Sequence, residues 1–439
     1  MPITLADGLV LRSLGEGYAS DRDRLPDFYA MTNAEGEDEH VKEGVRLWIR
    51  EFIYRHPTVT PDDLFVVVDP VQDEMIVSAT LLIPQRWRYE DVLLKAGRPE
   101  MCGTHPDYRR RGLQRALFNA VHARSAALGH HLQGITGIPY FYRQFGYSMT
   151  FQLGYRAFFQ LSALPEPSPE PPVYSLRHAT SDDIADITRW NENFAAQRLV
   201  TDAYTPAELL YEITGRHPGY YPHTDYHIIV DAAGQGVGYI VLLDALYTPY
   251  RLRCEAFVVG TESNYLAAFE PVMQAVKQWA VARYGHCPAM LALGCGLHDT
   301  LEPLIAYSPG GSFPPVEDAW YLRVPDAAAF LLHIRPVLER RLRGSGAHGY
   351  SGDLRIGFYD HSGLELRFQR GQLISVDSLN HTDGYDVQFP WHSFLNVVFG
   401  SHSVEDLHAV LPDVWPNGKA VALLNILFPK RKSWLNGLA

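Results

Sequence analysis

The chain is poor in cysteine: Cys102, Cys254, Cys287 and Cys295 are four in 439 residues, and no two form a Cys-x-x-Cys pair. That spacing argues against a disulfide framework or a thiolate zinc site, and it predicts buried, reduced thiols in a cytoplasmic protein. Long hydrophobic runs are missing as well. No stretch approaches the roughly 20 apolar residues that a membrane helix needs, so no membrane is expected as a partner. The start, Met1-Pro2-Ile3-Thr4, has neither the basic head nor the apolar core of a signal peptide. Positive charge is short too: 38 Lys and Arg stand against 50 Asp and Glu, a net −12. This balance argues against nucleic acid as a general partner, because that affinity rests on cations neutralising phosphates. It is compatible with a cationic substrate such as an amine.

A length of 439 residues, at about 150 per domain, predicts about three domains. The clearest boundary is Pro165-Glu-Pro-Ser-Pro-Glu-Pro-Pro172, where five prolines in eight residues hold the backbone extended and remove amide donors. The segments on either side echo each other. Leu9–Arg12 is matched by Tyr174–Arg177, Phe65–Asp69 by His227–Asp231, and Met75–Val77 by Val237–Tyr239, at offsets of about 160–165 residues. Each copy reads strand, helix, strand hairpin, strand, helix, which predicts two α/β domains of similar topology. Past residue 325 the pattern changes. Ala327–Arg343 predicts one amphipathic helix, Leu354–Tyr359, Leu364–Phe368 and Leu373–Val376 an antiparallel meander, and Trp391–Phe399 and Val404–Leu411 two short helices over one face. The expected domains are 1–163, 173–325 and 326–439.

The stretch from Arg98 to Arg115 carries the first chemical signal. A strand runs to about Thr104 and Pro106 ends it; Leu113, Leu117, Val121 and Leu128 then recur at helical spacing, with Gly129 as the stop. Arg109–Gly112 is therefore the turn that opens a helix. Amides at a helix start have no internal acceptors and sit at the positive end of the dipole, a setting for a pyrophosphate. Gly112 lets a phosphate approach the backbone, and Arg109, Arg110 and Arg111 add charge.

Arg109-x-x-Gly112 resembles the phosphate-binding motif of the GNAT acyltransferases, Arg/Gln-x-x-Gly-x-Gly/Ala, with Gln114 in place of the final small residue. Phe141-Tyr142-Arg-Gln-Phe-Gly-Tyr147 resembles the signature of the enhanced-intracellular-survival branch of that family, and the two motifs stand in the expected order. The resemblance implies two tandem GNAT-like domains followed by a sterol-carrier-protein-like α+β domain. It implies acetyl-CoA as cosubstrate, no metal, and an acetyl acceptor that is an aminoglycoside, a polyamine or a peptide lysine. It also implies a homo-oligomer, with a hexamer among its orders.

Carried across, the resemblance places the backbone of Cys102, Gly103 and Thr104 along the pantetheine arm. Arg109, Arg110, Arg111, Gly112, Leu113, Gln114 and Arg115 lie around the pyrophosphate, and Gly137 and Ile138 beside the acetyl thioester. Tyr142 takes the general-acid position. The thioester expels a thiolate, and with a thiol pKa of about 8.5 proton donation by a neutral phenol of pKa about 10 is feasible within a hydrogen bond. The terminal carboxylate, here that of Ala439, takes the general-base position, with water, His105 and Glu100 as the alternatives. Trp434 would anchor the tail by burying its ring.

Other features point elsewhere. Gly260–Leu266, where the second copy should carry its turn, has an acidic residue and no Arg-x-x-Gly, so acetyl-CoA is expected in the first domain alone. His130-His131 follows a helix stop without metal-ligand spacing and predicts an exposed turn. Gly294-Cys-Gly296 is too short for a dinucleotide fingerprint. Trp391, Phe394 and Phe399 are expected in a core rather than in a lipid site. Two rival readings remain at this point, a non-catalytic acetyl-CoA sensor and a lipid carrier built on the last domain.

Overall fold

Leu64–Asp69 and Met75–Tyr89 form a hairpin, joined through the short turn Pro70–Gln72 and left-handed Asp73 and Glu74. The second strand is 15 residues long and turns into Val92–Thr104, 13 residues long, so two extended strands dominate this half. The computed structural model describes residues 2–16, 18–138, 140–152, 157–165, 172–217, 219, 224–243, 251–294, 300–313, 319–380 and 384–435.

Among these residues the first sheet has nine strands. Eight lie in the order Ile3–Thr4, Val10–Ser13, Leu64–Asp69, Met75–Tyr89, Val92–Thr104, Leu132–Ile135, Ala319–Arg323, Ser148–Gln152, and Val200–Asp202 joins the far end of Met75–Tyr89. Helices Ala19–Asn33 and Glu39–Tyr54 cover one face. Helix Leu113–Ala127 covers the other, burying Leu117 and Val121 completely against Val67, Val77 and Leu82. Burial of each such side chain contributes about 1.5–3 kcal/mol.

The second sheet has seven strands, in the order Gly311–Ser312, Ala157–Phe159, Met290–Leu293, Arg251–Val259, Gly236–Leu243, Thr224–Asp231, Tyr174–His178. Helix Tyr265–Tyr284 crosses from Arg251–Val259 to its parallel neighbour Met290–Leu293, as Leu113–Ala127 crosses from Val92–Thr104 to Leu132–Ile135. The same topology therefore occurs twice. The copies also trade strands. Ala319–Arg323, from the second half, sits between two strands of the first sheet, and Ala157–Phe159, from the first half, sits between two strands of the second. A boundary at the proline-rich segment consequently cuts through shared sheets.

The last part has a five-stranded sheet, Gln372–Leu379, Gly363–Gln369, Gly352–Phe358, Val387–Phe389, Trp415–Pro416. Its first three strands are the expected meander; Val387–Phe389 is a parallel addition to Gly352–Phe358. The single helix expected over 327–343 is two, Ala327–His333 and Arg335–Arg343. Pro336 has no amide to donate, and its ring would strike the Leu332 carbonyl in a continuous helix, so the chain breaks at Ile334. Helix Gly418–Leu427 completes this part, and Phe394 and Phe399 lie in its core. That core extends into the first sheet through Trp87, Tyr89 and Leu94. Glu90 reinforces the junction by taking Arg341 at 2.6 Å and Arg340 and Arg431 at 2.7 Å.

Candidate active site

The site begins with an irregularity in the strand pair. Ala79 faces Gly103 and Leu81 faces Glu100, so Met101 and Cys102 together oppose Thr80. Met101 is left-handed (φ 55°), a conformation that costs a bulky side chain about 1–2 kcal/mol and holds only where the surroundings fix it. Such a bulge interrupts the ladder and frees backbone groups. The neighbouring parallel strand adds an opening. Val92–Thr104 pairs with Leu132–Ile135 only at Ala96/Leu132 and Gly97/Gln133, and past that point the strands part. The equivalent strands of the second sheet pair over four positions, Arg251/Met290 to Cys254/Leu293.

The arginine turn closes one end of this split. Arg110 and Gly112 are both left-handed (φ 65° and 75°), and Gly112 caps helix Leu113–Ala127. The first helical amide to find an acceptor is that of Arg115, on the Gly112 carbonyl at 3.0 Å. A Cβ built on Gly112 would meet nothing within 4 Å. Arg109, Arg110 and Arg111 are exposed; Arg109 reaches Glu35 at 3.4 Å and Arg111 stacks over Tyr108 at 4.6 Å. Leu113 is buried in the core beneath, so it offers the turn its backbone alone. Gln114 turns inward instead of lining the turn, its amide donating to the Gly103 carbonyl at 2.8 Å and to the Ser78 hydroxyl at 3.1 Å. It thus ties the helix start to the bulged strand, which accounts for a large residue at that motif position. Arg115 reaches across to the Gln144 side-chain oxygen at 2.9 Å.

Tyr142 lies on the short 3₁₀ helix Phe141–Phe145, with left-handed Tyr140 and Gly146 at its two ends. Its ring is 4% exposed, among Phe118, Tyr147 and Tyr321. Tyr321 comes from the exchanged strand, and its hydroxyl accepts the Tyr140 amide at 3.0 Å. The second half of the chain therefore supports this wall, a contribution that local sequence cannot reveal. The phenol oxygen is 3.4 Å from where a Cβ on Gly137 (φ 114°) would stand. Ile138, beside it, is exposed; Pro139 lies outside the described residues. The Cys102 thiol, 3.5 Å from the Thr80 hydroxyl, lies near the phenol. Burial pushes the thiol up to about 12, and the nearby Glu100 charge adds to this. Burial, then the Cys102 and Glu100 charges, also hold the phenol well above the usual tyrosine range. Both groups keep their protons near neutral pH. Glu100 itself is paired with Arg98 at 2.8 Å, and His105 caps the turn by accepting the Asp107 amide at 3.3 Å.

Behind Tyr142, Tyr147 and His122 are 3.0 Å apart. Burial lowers His122 to about 4 and raises Tyr147, so a neutral imidazole and a protonated phenol share this hydrogen bond. His130 corrects the expectation of an exposed turn. It is buried, its Nδ1 is 2.9 Å from the Ser125 hydroxyl, and burial lowers it to about 4. His131 accepts the Lys95 amide at 2.9 Å and stacks on His333. The turn is drawn inward where His130 and Ser125 pack against Gly97, which has no side chain. His122 and His130 are neutral when folded and protonate below about 6.5 when unfolded. The unfolded chain thus binds more protons between about pH 6.5 and 4, and stability should fall across that window by about 1.4 kcal/mol per pH unit for each histidine. Denaturant midpoints at pH 7 and pH 5 check this; His130→Gln should flatten the slope.

At the second helix start, Gly260–Leu266, Asn264 caps the helix itself by accepting the Ala267 amide at 3.0 Å, and Glu262 accepts from Trp190 Nε1 at 3.1 Å. A carboxylate stands where the first copy has arginines. Ala439 lies outside the described residues, which end at Leu435. Trp434 is buried against Phe194 at 5.2 Å and donates from Nε1 to the Gly294 carbonyl at 3.0 Å.

Residues 33–150 match the acetyltransferase (GNAT) domain family. No curated protein matches the chain. Solved structures match over nearly its whole length. A probable N-acyltransferase from Enterococcus faecalis aligns with TM-score 0.66 and 14% identity over 98% of this chain and 100% of that one. A GCN5-related N-acetyltransferase from Kribbella flavida aligns with TM-score 0.63 and 15% identity over 98% of both. Eis1 from Mycobacterium abscessus aligns with TM-score 0.60 and 13% identity over 98% and 100%. At these identities the likeness is one of fold.

Proposed function

Residues 33–150 being a GNAT acetyltransferase domain, we propose that the chain transfers the acetyl group of acetyl-CoA to an amine in that domain's cleft, by direct attack in a ternary complex. The observation that carries this reading is the convergence at one split of the Met101–Cys102 bulge, the Arg109–Gly112 turn and the buried phenol of Tyr142. Acetyl-CoA supplies an activated thioester when bound. The residues fit it: the helix-start amides precede the first internal acceptor, the space beside Gly112 is open, and three exposed arginines face solvent there. The backbone of Cys102–Thr104 would lie along the pantetheine arm, Arg109–Arg115 around the pyrophosphate, and Gly137 and Ile138 beside the thioester. Tyr142 would give its proton to the departing thiolate, and burial keeps that phenol protonated across the working pH range.

The amine must lose a proton before it attacks, and we assign that role to the terminal carboxylate of Ala439. The run of the tail supports the assignment. Trp434 pairs in parallel with Thr201, whose strand runs antiparallel to Met75–Tyr89. Up to Leu435 the tail therefore runs from Tyr89 toward the half of that strand that carries Ser78 and Thr80. Deleting Leu438 and Ala439 is expected to lower turnover by about 10²-fold or more while sparing acetyl-CoA affinity. A fully active truncation would hand the deprotonation to water.

The test of the function is thiol release from acetyl-CoA over a panel of polyamines, aminoglycosides and lysine peptides. We expect turnover with at least one class. Acetyl-CoA binding without turnover on any would make the chain a sensor instead. The same reading takes residues 326–439 as sterol-carrier-protein-like, and the protein as a cytoplasmic homo-oligomer whose order sedimentation would give.

A further inference from the structure

The second sheet carries a group of side chains that the acetyl-transfer reading leaves unused. His178 and His227 are direct partners on the antiparallel strands Tyr174–His178 and Thr224–Asp231, so both leave the same face of the sheet. Asp225, two residues before His227, shares that face because side chains alternate along a strand. One carboxylate oxygen of Asp225 is 3.1 Å from His178 Nδ1, and the other is 3.5 Å from His227 Nε2. All three residues offer ligand atoms within 4.8 Å of one another.

The two Asp225–histidine spacings, each to a different carboxylate oxygen, are close to those between ligands of one ion. Four ligands about 2.0–2.1 Å from a tetrahedral ion stand about 3.3–3.5 Å apart. Burial also differs in a useful way across the group. His227 is 1% exposed, with its ring edge-on to Trp279 at 5.2 Å, so its orientation is fixed. His178 is exposed on the outermost strand, which leaves the remaining coordination positions to water. Two imidazoles and one carboxylate suit a zinc-class transition metal better than calcium or magnesium, which take oxygen ligands.

We propose that His178, Asp225 and His227 bind one divalent transition-metal ion, with water completing its shell. The ion clips the edge strand Tyr174–His178 to its neighbour Thr224–Asp231, the one strand it pairs with among the described residues. That strand is the first element after the proline-rich segment; Tyr174 anchors its start in the core of the second sheet, and the ion would fix its other end, at His178. The site shares no residue with the acetyl-CoA cleft and does not depend on it.

Untagged full-length protein, stripped with a chelator and dialysed, would be titrated with zinc chloride against a chromophoric chelator at pH 7.5. Cobalt would serve as the spectroscopic probe. One ion per chain is expected, with a rise in melting temperature on zinc addition. Loss of an outer partner alone costs about 10–100-fold in metal affinity, so His178→Ala and Asp225→Asn should each cost at least that and abolish the thermal shift. His178 is exposed, so its variant should fold, and circular dichroism would verify this. His408→Ala, outside the group, should bind as wild type. No stoichiometric binding by the wild type, or unchanged affinity in both site variants, would overturn the proposal.

Discussion

Tyr142→Phe is expected to lower turnover by about 10²–10⁴-fold and to leave acetyl-CoA affinity within about twofold of wild type. The substitution removes one oxygen and keeps the ring, which packs among Phe118, Tyr147 and Tyr321. The local fold should therefore survive. The lost oxygen is the one beside Gly137. Burial holds the phenol well above the usual tyrosine range, so ionisation of Tyr142 should not set an alkaline limb below about pH 10 in the wild type. Steady-state kinetics with a thiol reagent and calorimetry with acetyl-CoA separate the two effects. Wild-type turnover in the variant, with chemistry rate-limiting, would make Tyr142 a packing residue.

Gly112→Asp is expected to weaken acetyl-CoA binding by about five- to 700-fold. A carboxylate about 4 Å from a phosphate charge costs about 1 kcal/mol in water and about 4 kcal/mol at a protein surface, and each 1.4 kcal/mol is tenfold in affinity. The protein itself leaves room for the side chain, since nothing lies within 4 Å of a Cβ there. Folding should suffer only the left-handed backbone, φ 75°, which Asp tolerates better than most residues. Gly112→Ala carries that strain without the charge, and the gap between the two variants measures the electrostatic part. Equal affinity in Gly112→Asp and wild type would place the pyrophosphate elsewhere.

Much of this arrangement was legible in the sequence because it is local. Pro106 after a strand, Gly112 before a helical apolar period, and the Phe141–Tyr147 run each fix structure within a few residues. The matching runs on either side of the prolines gave the repeated topology. What stayed hidden depends on partners far along the chain. The exchanged strand Ala319–Arg323 reads like any other, and only pairing brings Tyr321 to Tyr142. Gln114 looked like a flaw in a motif until its contacts with Gly103 and Ser78 gave it a purpose. His130 looked exposed because a helix stop normally faces water, yet the Ser125 hydroxyl and a gap beside Gly97 draw it in. His178 and His227 are 49 residues apart, a spacing no local metal motif covers, and register alone makes them neighbours.

The central claim is that acetyl-CoA binds once, in the cleft of the first domain, and calorimetric stoichiometry tests it most directly. The account predicts one acetyl-CoA per chain in the wild type, with the affinity lost in Gly112→Asp and retained when Asn264 and Glu262 at the second helix start are replaced by alanine. Two molecules per chain, or a single site that follows Asn264 and Glu262 instead of Gly112, would contradict it.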